Sequence, residues 1–267
     1  MGDRPITVYG AMAANAVIAV AKFAAAAASG SSALVAEGLH SLVDTGNQVL
    51  LLIGVRRSRK PPDPAHPFGY GKELYFWTLI VAVLLFAVGG GLSFYEGVHH
   101  LQKPTRFASA HWGYVVLGVA FAAEGISWGI AVRALSQGKG RSFLDKLRRN
   151  RDPTQFVVFA EDSAALLGIA IAAAGITASE RLRSPWPDAL ASMVIGLILA
   201  GVAVYLALEC RALLIGEGAH PGTVEGIQRL VASKPFVVEA RRPLTMRFGP
   251  HELLVNLELS FQKERSA

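Results

Sequence analysis

Six apolar stretches of about 20 residues recur along this chain of 267, near 6–28, 33–55, 74–98, 112–135, 156–178 and 188–210. Each is close to the length a helix needs to cross ~30 Å of hydrocarbon, so the expected object is a six-span integral membrane protein. Composition agrees, with 52% hydrophobic and 17% charged residues, where a soluble domain averages about 25% charged. A secretory signal would be followed by a polar mature domain, whereas here the apolar character resumes at once. Lys and Arg (26) outnumber Asp and Glu (20) but crowd the gaps between the stretches, so the net charge of +6 is loop charge and a nucleic-acid surface loses its support. A single cysteine, Cys210, excludes an intrachain disulfide and a two-thiolate zinc site. Any metal would rely on His, Asp or Glu.

Orientation follows from the same loop charge. With a cytoplasmic N-terminus, the inner gaps hold Arg56, Arg57, Arg59, Lys60, Lys72, Arg133, Lys139, Arg141, Lys146, Arg148, Arg149 and Arg151, and the outer gaps hold Lys103, Arg106, Arg181 and Arg183. Twelve against four satisfies the positive-inside rule and places both termini in the cytoplasm. After Arg211 the chain turns polar, with a helix expected near 223–233 and strand-like runs near 237–247 and 251–261. In the second run Leu253, Val255, Leu257 and Leu259 alternate with Glu252, Asn256 and Glu258, the period of a half-buried strand. So short a piece is thin for an independent core; either it leans on a partner or the chain stops before its natural end. The expected fold class is therefore an all-α membrane protein, six transmembrane helices over 1–215, followed by a partial α/β cytoplasmic domain over 216–267. Short loops and Ala/Gly-rich spans point to a multi-pass protein of a prokaryotic inner (plasma) membrane.

Polar residues inside the spans carry the chemistry. In the second stretch His40 and Asp44 lie four residues apart, stacked on one helical face, with Asn47 and Gln48 a turn further on. An Asp at the centre of a span costs ~2.5–3.5 kcal/mol on translocon scales, so it is rarely without a partner or a task. The fifth stretch carries Glu161 and Asp162 at matching depth, and the two helices run in opposite senses. Side by side they bring His40, Asp44 and Asp162 together. Imidazole nitrogen with carboxylate oxygens suits zinc and its first-row neighbours. A single buried His or acid is more often a packing feature between helices; two acidic helices at one depth favour a cation pathway.

The segment SSALVAEGLHSLVDTGNQVLLLIG followed by PPDPAHPFGYGKELYF resembles the cation diffusion facilitator family of divalent-metal/proton antiporters, as do PWPDALASMVIG and LLIGEGAHP at the two ends of the sixth stretch. The resemblance implies a six-helix fold, a ferredoxin-like cytoplasmic domain, a homodimer, and a transport site between the second and fifth helices made of His40, Asp44 and Asp162. Where most relatives carry His four residues before that last acid this chain has Val158, and its Glu-Asp pattern resembles the zinc transporter nine branch of the family. Neighbouring residues diverge by about 100° on a helix, so Glu161 would reach the site from its edge, as a fourth ligand in place of water. Asp63 and His66 in the loop match a second metal position of some relatives, a weak site here because Tyr70 stands where a third ligand is His. Lys72, by the same resemblance, pairs with Glu217.

Other polar features read as structural: Lys22 snorkels or finds a polar neighbour, His99 and His100 are interfacial, Glu124 is unassigned, and Gly89–Gly91 serve close helix packing, including a dimer contact. The function that follows is efflux of zinc in exchange for protons, with Mn, Fe or Co by the same mechanism, or a non-transporting membrane scaffold, as alternatives. An enzyme is not expected, since His-Glu-x-x-His does not occur, nor is any cofactor beyond the transported ion. Partners are the bilayer, the divalent ion, protons and a second copy of the chain, not nucleic acid.

Overall fold

The computed structural model describes residues 5–103, 111–136, 153–249 and 252–262. Six long helices follow one another: α1 (Pro5–Ser29), α2 (Ser32–Ser58), α3 (Glu73–Gln102), α4 (His111–Ser136), α5 (Pro153–Leu182) and α6 (Trp186–Ile215). A short amphipathic helix, α7 (Pro221–Ala232), and four short strands complete the described chain: β1 (Val237–Ala240), β2 (Leu244–Arg247), β3 (Leu253–Asn256) and β4 (Leu259–Phe261).

Five of the long helices are long and apolar enough to cross a membrane, over Met12–Ser29, Glu73–Gln102, His111–Ser136, Thr154–Leu182 and Trp186–Ile215. Large apolar side chains such as Val17, Phe86, Phe121, Ile126, Ile130, Leu167 and Leu197 stand on their outer surfaces, as lipid-facing residues do. Among the described residues α2 does not join this set, although it has 27 residues. Its buried stripe, Glu37, His40, Ser41, Asp44 and Asn47, lowers its hydropathy, and the helix packs against α1, α3, α5 and α6. The residues that remove α2 from an apolar count are those that need protein rather than lipid around them.

The α1–α2 corner turns at Gly30, whose φ of 73° opens the left-handed region, and Ser31 then caps α2 by accepting from Leu34 N–H. A carboxylate from elsewhere completes this corner. Asp188, in the first turn of α6, accepts Ser31 Oγ at 2.6 Å, Ser32 N at 2.6 Å, Ser32 Oγ at 3.0 Å and Ala33 N at 3.4 Å, while its own N–H donates to Ser179 Oγ of α5 at 3.0 Å. An acid in a first turn ordinarily serves its own helix; this one neutralises the exposed N–H groups of another.

Midway along α3, Leu85–Leu92 is π-helical, spanning the three consecutive glycines. Gly90 and Gly97 lie against α6 so closely that a Cβ on the facing Gly196 would stand 2.6 Å from Phe94 N and 2.8 Å from Gly90 O. The Ser93 carbonyl just after the π segment accepts from Ser192 Oγ at 2.8 Å. Gly89 and Gly90 therefore serve packing within the chain, and Gly91 is exposed.

α6 ends at Ile215, capped by Gly216 (φ 114°), and the polar remainder folds beside the α2–α3 loop, where Phe248 meets Phe68. Each strand-like run of the sequence is interrupted. Pro243, which has no N–H to donate, falls between β1 and β2, and β3 gives way to β4 at Leu257–Glu258. The result is two antiparallel two-stranded ladders, β1–β4 and β2–β3, bridged by Arg241 N donating to Glu258 O and an Arg241–Glu258 ion pair of 2.9 Å. The expected alternation is seen at Leu253 and Val255, half-buried between exposed neighbours, and fails at Leu257 where the ladder breaks.

Candidate metal centre

α2 and α5 face each other at mid-depth and bring buried acids together. His40 Nε2 stands 3.4 Å from Asp44 Oδ2, one turn along the same face. One turn further, Asn47 Nδ2 donates to Glu161 Oε1 across the helix pair at 2.6 Å. His40, Asp44, Asn47, Glu161 and Asp162 are each no more than 9% exposed. Glu161 and Asp162 diverge as adjacent helical residues must, but in the reverse of the expected sense: Glu161 reaches α2, while Asp162 takes a hydrogen bond from Ser127 of α4. The structure thus joins His40 with Asp44, and Glu161 with Asn47, and turns Asp162 toward Ser127 of α4. Among the described residues no three His, Cys, Asp or Glu side chains stand close enough to share one ion.

Several polar atoms here lack a hydrogen-bond partner although they are shut away from solvent: both ring nitrogens of His40, Asp44 Oδ1, Asn47 Oδ1, Gln48 Oε1 and Asp162 Oδ2. Buried polar groups are ordinarily satisfied, and leaving one unpaired costs about 1–3 kcal/mol. Their chemistry, imidazole nitrogen and carboxylate or amide oxygen, is that of a borderline divalent cation's ligands.

A buried ion pair behind this site escapes a reading that begins at His40. Lys22, expected to snorkel or to find a polar neighbour, does the second. Its Nζ pairs with Glu37 Oε2 at 2.8 Å and donates to Ser41 Oγ at 2.7 Å, with both charged side chains 0% exposed. Glu37 lies one turn before His40, and the spacing 37, 40, 44, 47 shows the polar face to be a turn longer than first read. Glu124 of α4, also buried, contributes to the field at Lys22, Asp44, Glu161 and Asp162. Asp188 is the other omission. Its helix-start position in PWPD suggests a local cap, and no sequence signal reveals a distant one.

In the α2–α3 loop Asp63 is fully engaged. Its Oδ1 accepts His66 N at 2.7 Å with His66 Nδ1 3.4 Å away, and its Oδ2 accepts Tyr70 O–H at 2.6 Å. The Tyr70 bond, with the His66 backbone next, holds the Asp63 carboxyl below the ordinary carboxylate range and pushes the Tyr70 phenol up. Tyr70 also stacks on His66, ring centroids 4.3 Å apart. Lys72 donates to the Leu214 carbonyl at the end of α6 at 3.2 Å and lies over the Phe248 ring, 5.2 Å from its centroid. Phe68 packs on the same ring at 5.0 Å.

Comparison with known proteins agrees with this architecture. The cation efflux transmembrane domain model matches residues 8–215. The chain is 36% identical over 211 residues to the proton-coupled zinc antiporter SLC30A9, mitochondrial, of Xenopus laevis, covering 78% of this chain and 38% of that protein. It is 36% identical over 219 residues to the human protein of the same name, covering 81% and 39%. Metal tolerance protein C4 of Arabidopsis thaliana is 33% identical over 236 residues, covering 87% and 52%. The chain thus spans about two fifths to one half of the length of these relatives.

Proposed function

The chain belongs to the cation efflux family, as a multi-pass integral membrane protein, and on that premise we propose that it exports zinc from the cytoplasm in exchange for protons. The observation that carries this reading is the facing of two buried polar clusters, His40 with Asp44 and Asn47 with Glu161, in the middle of a bundle whose outer surfaces are apolar. Relatives named proton-coupled zinc antiporters and metal tolerance proteins support the same assignment.

In this proposal α2 is the sixth span, shielded by α1, α3, α5 and α6. His40, Asp44 and Glu161 supply nitrogen and oxygen ligands, and Asp162 completes the set when α5 turns it from Ser127 toward α2. Asn47 holds Glu161 by Oε1 and leaves Oε2 for the cation. Zinc binds a neutral imidazole and ionised carboxylates, so loading displaces protons from these ligands, and acid on the outer side returns protons and unloads the metal. The Lys/Arg-rich loops and both termini face the cytoplasm, the residues after 215 belong to a ferredoxin-like cytoplasmic domain, and the protein works as a homodimer in the plasma membrane of a prokaryote. Asp63 and His66 form no second site on this reading, since Tyr70 and the loop backbone occupy the Asp63 carboxylate.

Zinc flux into proteoliposomes under an imposed pH gradient tests the proposal. Flux should follow the gradient and vanish in Asp44→Asn while the variant still elutes as a folded protein. Normal flux in folded Asp44→Asn would overturn the site, and flux indifferent to pH between about 5.5 and 8 would overturn proton exchange through His40.

A further inference from the structure

The end of the bundle that holds the α1–α2 corner contains a second arrangement, separate from the mid-depth cluster. The last two turns of α3 carry Glu96, His99 and His100. His99 points outward and stacks on Tyr95, ring centroids 6.1 Å apart. His100, its neighbour, turns inward, is 4% exposed, and its Nε2 has no hydrogen-bond partner. That corrects the expectation that both are interfacial. Glu96 lies four residues before His100 and so on the same face. Both line a cavity of about 320 Å³ with Phe23 and Ala27 of α1 and with Ser31 and Ser32 at the corner. Among the described residues neither Glu96 nor His100 is in an ion pair.

We propose that His100 and Glu96 hold a divalent transition-metal cation in this cavity. The imidazole Nε2 and one carboxylate oxygen are its protein ligands, and water fills the remaining positions, for which the cavity has room. Ser31 and Ser32 border the cavity and donate their hydroxyl protons to Asp188; Ser31 Oγ also accepts Leu34 N–H, which leaves it one lone pair, and Ser32 Oγ keeps its acceptor capacity for those waters. Two protein ligands make a weak, exchangeable site, suited to passing an ion on. Ser32 and His40 are eight residues apart on α2, about 12 Å along the helix, so the cavity lies on the outer side of the mid-depth cluster. Its existence is independent of the transport reading; its role as the release station rests on that reading.

The test uses the full-length protein in detergent with Asp44→Asn and Glu161→Gln in place, so that mid-depth binding is removed, and measures zinc bound at equilibrium. One equivalent should remain. It should disappear in His100→Gln, weaken by about tenfold in Glu96→Gln, and persist in His99→Gln, which controls for a change of fold at this end. An equivalent unaffected by His100→Gln, or lost equally in His99→Gln, overturns the site. In proteoliposomes, His100→Gln on the otherwise unaltered protein should lower maximal flux with an unchanged KM for zinc on the loading side. An unchanged maximal rate overturns the release role. Zinc bound through His100 in a protein that moves no metal would leave the site standing and remove the transport reading.

Discussion

At the scale of single residues, the least expected arrangement is that the fifth helix aims Glu161, not Asp162, at its neighbour. The sequence shows two adjacent acids and requires them to diverge, but the rotation of a helix about its axis is set by packing of its whole length, which two residues do not disclose. Asn47 decides the matter by holding Glu161 at 2.6 Å. Glu161→Gln should therefore reduce zinc flux at least as much as Asp162→Asn, by about 100-fold, with both variants assayed in the same proteoliposomes; a near-normal Glu161→Gln would return the leading role to Asp162. Lys22 invites a second measurement. Removing one partner of a buried pair strands the other charge, a loss of about 3–5 kcal/mol, whereas removing both is far milder. Lys22→Met should lower the thermal unfolding midpoint in detergent sharply, and adding Glu37→Gln should recover most of it. A double variant no better than Lys22→Met would show that the ion pair is not what fixes these residues.

At the scale of elements, helix positions were legible and helix relations were not. The six apolar stretches locate the six long helices within a few residues, five of them long and apolar enough to cross a membrane. The π segment of α3 was visible only as a run of glycines, and its consequence, backbone contact with Gly196, needs the partner helix in view. The tail shows the opposite failure: apolar alternation continues through Leu257, yet hydrogen bonding stops there. Between elements, Asp188 ties α6 to both α2 and α5. Asp188→Ala takes away the external cap of α2 and should destabilise the protein by about 2 kcal/mol, read as a lower unfolding midpoint, with loss of flux following from displacement of α2. A variant as stable as the parent would reduce these four bonds to incidental contacts.

At the scale of the whole molecule, the α2–α3 loop, the end of α6 and the β2–β3 turn meet around Phe248 through Phe68 and Lys72, so the tail is attached to the helical bundle at the end of α6. Its own core is small, with Val224 and Pro243 the buried apolar side chains described beyond residue 216. The proposed homodimer should thus be held by membrane helices: native mass spectrometry in detergent is expected to find a dimer both for the full chain and after truncation following Gly216. A full-length monomer would refute the dimer, and a monomer only after truncation would transfer its interface to the tail. The knot at the opposite end has a mechanical meaning of its own. Asp188 and Ser179 bind α2, α5 and α6 together at the tips beside the α1–α2 corner, and at mid-length Asn47 ties α2 to Glu161 of α5. Rods riveted at one tip behave as tongs about that rivet, so on the proposed transport reading the rivet must give before its own side can open.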